Sequence, residues 1–99
     1  MKNNVSENYK ITLINIIQKY LPNCNIYLFG SRARGTNKSG ADIDIAIDNH
    51  NKISFDTILK IYNDIEETNI PLYVDVVDIN NSSSDFKMEI KKEGIKWTN

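Results

Sequence analysis

The sequence predicts an α/β (α+β) fold in which a mixed sheet of three or more strands packs against helices. Segments with apolar residues every three or four positions alternate with short apolar or strictly alternating runs, in the order helix, strand, turn, strand, helix, strand, helix. This order is typical of a sheet covered by helices. A length of 99 residues suffices for one compact domain and is too short for two, so residues 1–99 are predicted to form a single domain.

The first helix is predicted over residues 5–20. Apolar side chains recur there at helical spacing, at Val5, Tyr9, Leu13, Ile16, Ile17 and Tyr20. Residues 26–29 form a continuous apolar run closed by Gly30, which predicts a buried strand. Residues 35–40 are rich in glycine, serine, asparagine and lysine, and are predicted to form a loop.

The second strand is predicted over residues 42–48, where polar and apolar positions alternate strictly. Because successive side chains of a strand point to opposite faces, the isoleucines share one face. Asp42, Asp44 and Ala46 share the other face.

The remaining chain predicts a helix, a strand and a helix. Ser54 is a suitable N-cap for a helix to about residue 68, with an apolar stripe of Phe55, Ile58, Leu59, Tyr62 and Ile65. Residues 72–77 follow as a third strand. The last helix begins in the serine cluster at residues 82–84 and ends near Gly94, since glycine favours helix ends.

Composition excludes several classes of protein. Hydrophobic residues make up 40% and charged residues 25%, as in ordinary soluble globular proteins. Twelve basic and thirteen acidic residues leave a net charge of −1, so neither direct nucleic-acid binding nor membrane binding is expected. The single cysteine excludes an internal disulfide, no apolar run approaches the roughly 20 residues of a membrane span, and no signal sequence is expected at the N-terminus. We therefore expect a cytoplasmic protein.

Three aspartates are candidates for a metal-binding site. Asp42 and Asp44 lie about 7 Å apart along one strand face, although such a pair on a solvent-facing strand has an ordinary structural interpretation too. Asp75 lies within an otherwise apolar strand, where a charge is costly without a counter-charge. If the two strands pair, the three carboxylates converge, and hard cations such as Mg²⁺ favour such oxygen ligands. An exposed edge position is the alternative for Asp75.

A second group of candidates follows the first strand. Gly30 and Ser31 come where the strand ends, so backbone N–H groups and a hydroxyl can approach an anion closely. Arg32 and Arg34, the only arginines among twelve basic residues, follow them and suit phosphate recognition. An ordinary turn with surface arginines is the alternative interpretation. The chain has no P-loop motif.

The spacing Gly30-Ser31, ten residues, then Asp42-x-Asp44, with Asp75 later, resembles the nucleotidyltransferase superfamily typified by DNA polymerase beta. The signature of that superfamily is G-S-x(10)-D-x-D followed by a third carboxylate. The segments LFGSRARGTNKSGADIDIAID, VDVVD and IKKEGIKW look like its smallest branch, the minimal nucleotidyltransferases, or MNT. The resemblance covers most of residues 26–97. Ala41 stands where the family usually has serine.

The resemblance implies a Mg²⁺-dependent nucleotidyltransferase with a palm-like sheet. It implies that Asp42, Asp44 and Asp75 are catalytic and bind two Mg²⁺ ions, with Mn²⁺ as a possible substitute. Gly30 and Ser31 would hold the triphosphate of ATP or another nucleoside triphosphate, as would the two arginines. His50 and Cys24 have no role in this mechanism.

The resemblance also implies a partner, because the chain offers only half of an active-site cleft and no acceptor domain. Minimal nucleotidyltransferases are commonly paired with helical HEPN proteins, as antitoxin and toxin, and some transfer AMP to a tyrosine of the toxin. We therefore expect an adenylyltransferase that acts on a HEPN partner. The alternatives are a non-catalytic antitoxin that neutralises its partner by contact and a transferase for small molecules such as antibiotics.

Overall fold

The computed structural model describes residues 5–98, which form a four-stranded sheet with helices on both faces. The helices are α1 Glu7–Tyr20, α2 Gly30–Arg34, α3 Phe55–Glu66 and α4 Ser84–Glu93, and the strands are β1 Asn25–Phe29, β2 Ile43–Asp48, β3 Val74–Asp78 and β4 Ile95–Lys96. A 3₁₀ turn, Ile79–Asn81, joins β3 to α4. The predicted fold class is confirmed. The predicted single domain also includes residues 1–4 and 99, which lie outside the described residues.

The sheet is mixed and has the order β3-β2-β1-β4. Strand β1 is antiparallel to β2 and to β4, whereas β2 and β3 are parallel. Parallel neighbours need a crossover connection, which α3 provides. Within the described residues β3 pairs with β2 alone, so β3 is an edge strand.

One face of the sheet carries the main core. Helices α1 and α3 cover the isoleucine face of β2, and both helices begin at serine N-caps, Ser6 and Ser54. The fully buried side chains are Leu13, Ile17, Ile26, Leu28, Ile43, Ile45, Ile47 and Ile61. The two helices are also joined through Asp64, which accepts hydrogen bonds from Tyr20 Oη at 2.7 Å and Lys19 Nζ at 3.0 Å.

The opposite face is covered by α4. Ala46 of β2 packs there with Ile79 and Ile90, and Phe29 meets Phe86 edge to face at 5.4 Å between ring centroids. Because side chains alternate along β2, Asp44 lies on the same face as Ala46. The carboxylates therefore share their face of the sheet with α4.

The structure differs from the predicted elements at several places. Strand β4 was not predicted, and β2 begins at Ile43, so Asp42 precedes the strand. Strand β3 begins at Val74 rather than at residue 72. Two residues predicted in the apolar stripe of α3 are exposed, Phe55 by 76% and Leu59 by 43%, and Phe55 is the first residue of the helix. In the described part of the chain, no helix is both long and apolar enough to cross a membrane.

Candidate functional site

Asp44 and Asp75 are brought together by strand pairing. In the parallel register of β2 and β3, the two residues are direct partners and their side chains share a face. Partial burial raises the pKa of Asp44, and the negative charges of Asp75 and Asp42 raise it further, while Arg34 acts in the opposite direction. Two of the predicted carboxylates are thus adjacent, with the third close enough to act on Asp44.

Gly30 lies directly against Asp44. Phe29, the preceding residue, is paired with Asp44 across β1 and β2, so the chain turns into α2 beside that carboxylate. A Cβ atom built on Gly30 would collide with Asp44 Oδ2, and Gly30 has a left-handed φ of +75°. The left-handed φ favours glycine, and a side chain at this position would displace the Asp44 carboxylate, so a bare stretch of backbone lies next to that group.

Arg32 is directed into the protein. It is only 8% exposed, and its Nε and Nη2 donate hydrogen bonds to the Ala41 carbonyl oxygen at 3.0 and 2.8 Å. Burial of a guanidinium is costly unless its N–H groups form hydrogen bonds, as Nε and Nη2 do here. Arg32 therefore ties α2 to the residue that immediately precedes Asp42, and these two bonds go to backbone rather than to an open cleft.

Arg34 lies on the other side of the same short helix. Residues two apart on a helix point about 200° from each other, so a buried Arg32 leaves Arg34 facing outward. Arg34 is exposed, and its positive charge acts on Asp44. It lines a small hollow with Phe29, Gly30 and residues of α4. Ser31, half-buried, is the second residue of α2.

The carboxylates fit the donor chemistry of a hard divalent cation but are not gathered into a complete site. Asp42 is exposed, and within residues 5–98 no three histidine, cysteine, aspartate or glutamate side chains lie close enough to hold a metal ion. Mg²⁺ is usually bound through one or two carboxylates together with substrate phosphates and water. The Asp44–Asp75 pair matches that mode, because a cation between the two carboxylates would offset their mutual repulsion.

The site face is open to solvent on one side. Asp42 and Arg34 are exposed, and Tyr73, just before β3, is exposed as well. A hollow of about 570 Å³ lies along the outer side of α4 and includes none of the three aspartates. The fold thus supplies one wall of a cleft at the carboxylates.

Tyr62 is a site neighbour that sequence reasoning missed. Its hydroxyl lies 3.3 Å from Asp75 Oδ1 and accepts a hydrogen bond from the Val76 backbone N–H at 2.8 Å. The sequence placed Tyr62 only in the apolar stripe of α3. The available signal was its hydroxyl, since a tyrosine in a core stripe usually has a polar partner.

Asp48 and Asp78 have structural roles. Asp48 accepts hydrogen bonds from His50 N and Asn80 Nδ2, and Asp78 accepts them from Ile53 N and Asn80 N. Both aspartates therefore cap turns. Cys24 is buried, and this burial raises the pKa of its thiol to about 11, which is unsuited to a nucleophile.

A family model described as polymerase beta, nucleotidyltransferase, matches residues 11–97. The chain belongs to the polymerase beta nucleotidyltransferase family. The match includes the Gly30-Ser31 turn and all three aspartates, so the family resemblance drawn from the motif spacing is confirmed.

Comparisons with individual proteins are consistent with this family. The chain is 31% identical over 77 residues to the probable protein adenylyltransferase MntA of Haemophilus influenzae, covering 78% of this chain and 68% of the relative. A toxin–antitoxin crystallised with AMP-PNP contains a chain with 24% identity and a TM-score of 0.77, covering 95% of this chain and 74% of the other. A complex of the tri-AMPylated Shewanella oneidensis HEPN toxin with its MNT antitoxin matches at 20% identity and TM-score 0.72, covering 94% and 71%. The two structural matches show the nucleotidyltransferase fold.

Proposed function

We propose that this chain is a Mg²⁺-dependent adenylyltransferase that transfers AMP from ATP to a tyrosine hydroxyl of a HEPN toxin and thereby acts as an antitoxin. The observation that carries the proposal is the position of Asp44, directly opposite Asp75 and against the backbone of Gly30. The name of the Haemophilus relative and the AMPylated toxin in the Shewanella complex support AMP as the transferred group.

The three aspartates would have separate roles. Asp42 and Asp44 would hold the metal that carries the triphosphate, and Asp75 would mainly serve the metal that activates the acceptor. Two bound divalent ions, Mg²⁺ or Mn²⁺, would supply charge stabilisation at the attacking and leaving oxygens. Asp42 lies in a segment just before β2, so its carboxylate can move toward the pair without disturbing the sheet.

The triphosphate would lie along the start of α2. The Gly30 backbone allows close approach, Ser31 offers a hydroxyl, and the exposed Arg34 offers a guanidinium that can form charge-assisted hydrogen bonds with phosphate. Arg32 would contribute to the same site indirectly, because its bonds to Ala41 fix the backbone just before Asp42.

The acceptor would come from the partner, which would supply the missing wall of the cleft. In the reaction the tyrosine oxygen attacks the α-phosphorus, the bond between the α-phosphorus and the bridging oxygen breaks, and pyrophosphate leaves. The phenol has a pKa near 10 and is a weak nucleophile at neutral pH, so its proton must be removed. Asp75 would accept that proton once docking brings the oxygen to about 3–3.5 Å from phosphorus.

A non-catalytic antitoxin that acts by contact is the second candidate. One observation favours it, namely that the described carboxylates do not form a ready metal site. The close approach of Gly30 to Asp44 favours catalysis, because a side chain at position 30 would displace the carboxylate, and a surface that acts by contact alone has no need of a carboxylate held there.

The experiment is to incubate the chain with a HEPN protein encoded beside its gene, Mg²⁺ and ATP, and to weigh the HEPN protein by intact-mass spectrometry. The proposal predicts additions of whole AMP groups that disappear with Asp42→Asn or Ser31→Ala. A stable complex that suppresses toxin activity with no added mass, and does so equally well with Asp42→Asn, would support the contact mechanism instead.

A further inference from the structure

We infer that Tyr62 is a positioning residue whose hydroxyl orients the Asp75 carboxylate for the transfer reaction. This inference rests on the proposed function. Tyr62 lies on α3, which covers the isoleucine face, whereas Asp75 shares the opposite face with Asp44. The tyrosine reaches its partner because β3 is the edge of the described sheet, so the ring can pass around that edge.

The hydroxyl oxygen is held in place independently of Asp75. The Ile43 N–H donates to the Tyr73 carbonyl, and backbone groups of successive residues alternate in direction along a parallel strand. The N–H and carbonyl of Val76 therefore face away from β2. The Tyr62 hydroxyl accepts a hydrogen bond from that N–H at 2.8 Å and so takes the position of a neighbouring strand's carbonyl group. A fixed hydroxyl can therefore impose an orientation on the carboxylate beside it.

The hydroxyl has one proton and two acceptors in reach, Asp75 Oδ1 and the Val76 carbonyl oxygen, each at 3.3 Å. A charged acceptor forms the stronger hydrogen bond, which favours the carboxylate. This bond matters because Asp44 lies directly opposite and repels the Asp75 carboxylate, whose terminal torsion is soft. Donation to Oδ1 holds the carboxylate in place and leaves Oδ2 for the acceptor side of the reaction.

The test variant is Tyr62→Phe, which keeps the ring and removes the hydroxyl. A hydrogen bond to a charged group accounts for roughly a tenfold effect or more, so we expect kcat for AMP transfer to fall by about tenfold. The KM for ATP should stay within about twofold, because Asp75 is not assigned to the triphosphate. Binding of the second, acceptor-side Mn²⁺ in the presence of AMP-PNP, followed by EPR, should weaken severalfold because Asp75 is less well oriented.

Ile65→Val is the matched control for a structural effect. Ile65 lies on the same helix and is buried, and the change removes one methylene without removing a hydrogen bond. This variant should lower Tm while leaving kcat and Mn²⁺ binding unchanged. The inference is overturned if Tyr62→Phe binds Mn²⁺ and transfers AMP as the wild type does, or if its losses only equal those of Ile65→Val. If the wild type itself transfers nothing, the proposed function fails, and the Mn²⁺ comparison alone decides the role of Tyr62.

Discussion

Asp44 of β2 and Asp75 of β3 are direct partners in the parallel register of the sheet, so two like charges lie side by side on one face. Like charges on neighbouring strands oppose folding. The pair lies next to Gly30, where a side chain would displace the Asp44 carboxylate. The arrangement lowers stability and gathers negative charge at one point, which is expected of a site that binds a cation and a nucleotide.

Replacing Asp44 should therefore stabilise the chain without ligand. The pKa of Asp44 is raised in the folded state above the ordinary value of 3.8, so the folded chain holds this proton more tightly than the unfolded chain. The resulting contribution to stability is present below pH 3.8 and is lost as pH rises through the raised pKa. At pH 7, Asp44→Asn should raise Tm by about 1–3 °C in EDTA. Thermal melts from pH 7 to pH 3 should show this gain shrinking, and a variant melting below the wild type at pH 7 would contradict it.

Divalent metal with ATP should stabilise the fold. A ligand that binds only the native state raises Tm by mass action, by an amount set by its concentration relative to Kd. Melts in Mg²⁺ or Mn²⁺ with ATP should exceed those in EDTA, and Asp42→Asn should abolish most of the rise. Asp75→Asn should retain most of it, because Asp75 is assigned to the acceptor. An unchanged wild-type melt would refute the metal site.

Gly30→Ala and Gly40→Ala form a matched pair. Both glycines have a left-handed φ, +75° and +79°, so each alanine should cost about 1 kcal/mol in strain. A Cβ at Gly40 meets no atom within 4 Å, whereas one at Gly30 collides with Asp44 Oδ2. We expect Gly30→Ala to lose transfer by on the order of a hundredfold and Gly40→Ala to keep it. Equal activity of the two variants at a temperature where both are folded would show that Asp44 has no need of this close approach.

We expect Arg32 to contribute to stability and Arg34 to contribute to ATP binding. Arg32→Gln breaks the two hydrogen bonds to Ala41 in a buried place and should cost about 2–4 kcal/mol, seen in urea denaturation. Arg34→Gln should leave stability within about 0.5 kcal/mol, because exposed substitutions are usually that mild. It should raise the KM for ATP by about tenfold through loss of a charge-assisted hydrogen bond. If Arg34→Gln binds ATP normally, the phosphate contact assigned to Arg34 is wrong.

Local patterns were enough to predict most of the fold. The helical spacing of apolar residues in α1 and the alternation in β2 each predict which face of the element is buried. Ser54 is the N-cap of α3, as predicted. Strand β4 could not be found this way, because two residues have no periodicity and their pairing with β1 is a long-range contact. The motif spacing likewise identified the family, since Gly30-Ser31 and Asp42-x-Asp44 combine two independent signals.

The roles of individual side chains depended on tertiary contacts. Arg32 and Arg34 look equivalent in sequence, and only the burial of one side of α2 distinguishes them. The helix predicted between the two strands is consistent with parallel pairing, but it does not choose the offset that places Asp44 opposite Asp75. Tyr62 fits an apolar stripe by spacing, and its bond to Asp75 depends on β3 being at the edge of the sheet.

The central claim is that the Asp44–Asp75 pair is the centre of AMP transfer, and the most direct measurement compares initial rates for Asp44→Asn and Asp48→Asn. Both aspartates lie on the same face of β2, four residues apart. Asp48, however, accepts hydrogen bonds from Asn80 Nδ2 and the His50 backbone N–H. With labelled ATP and a HEPN protein as acceptor, Asp44→Asn should lose transfer by about a hundredfold to a thousandfold, as loss of a group that stabilises transition-state charge does. Asp48→Asn should stay within about threefold of the wild type, as a change outside the site does. Transfer by Asp44→Asn at the wild-type rate would contradict the account.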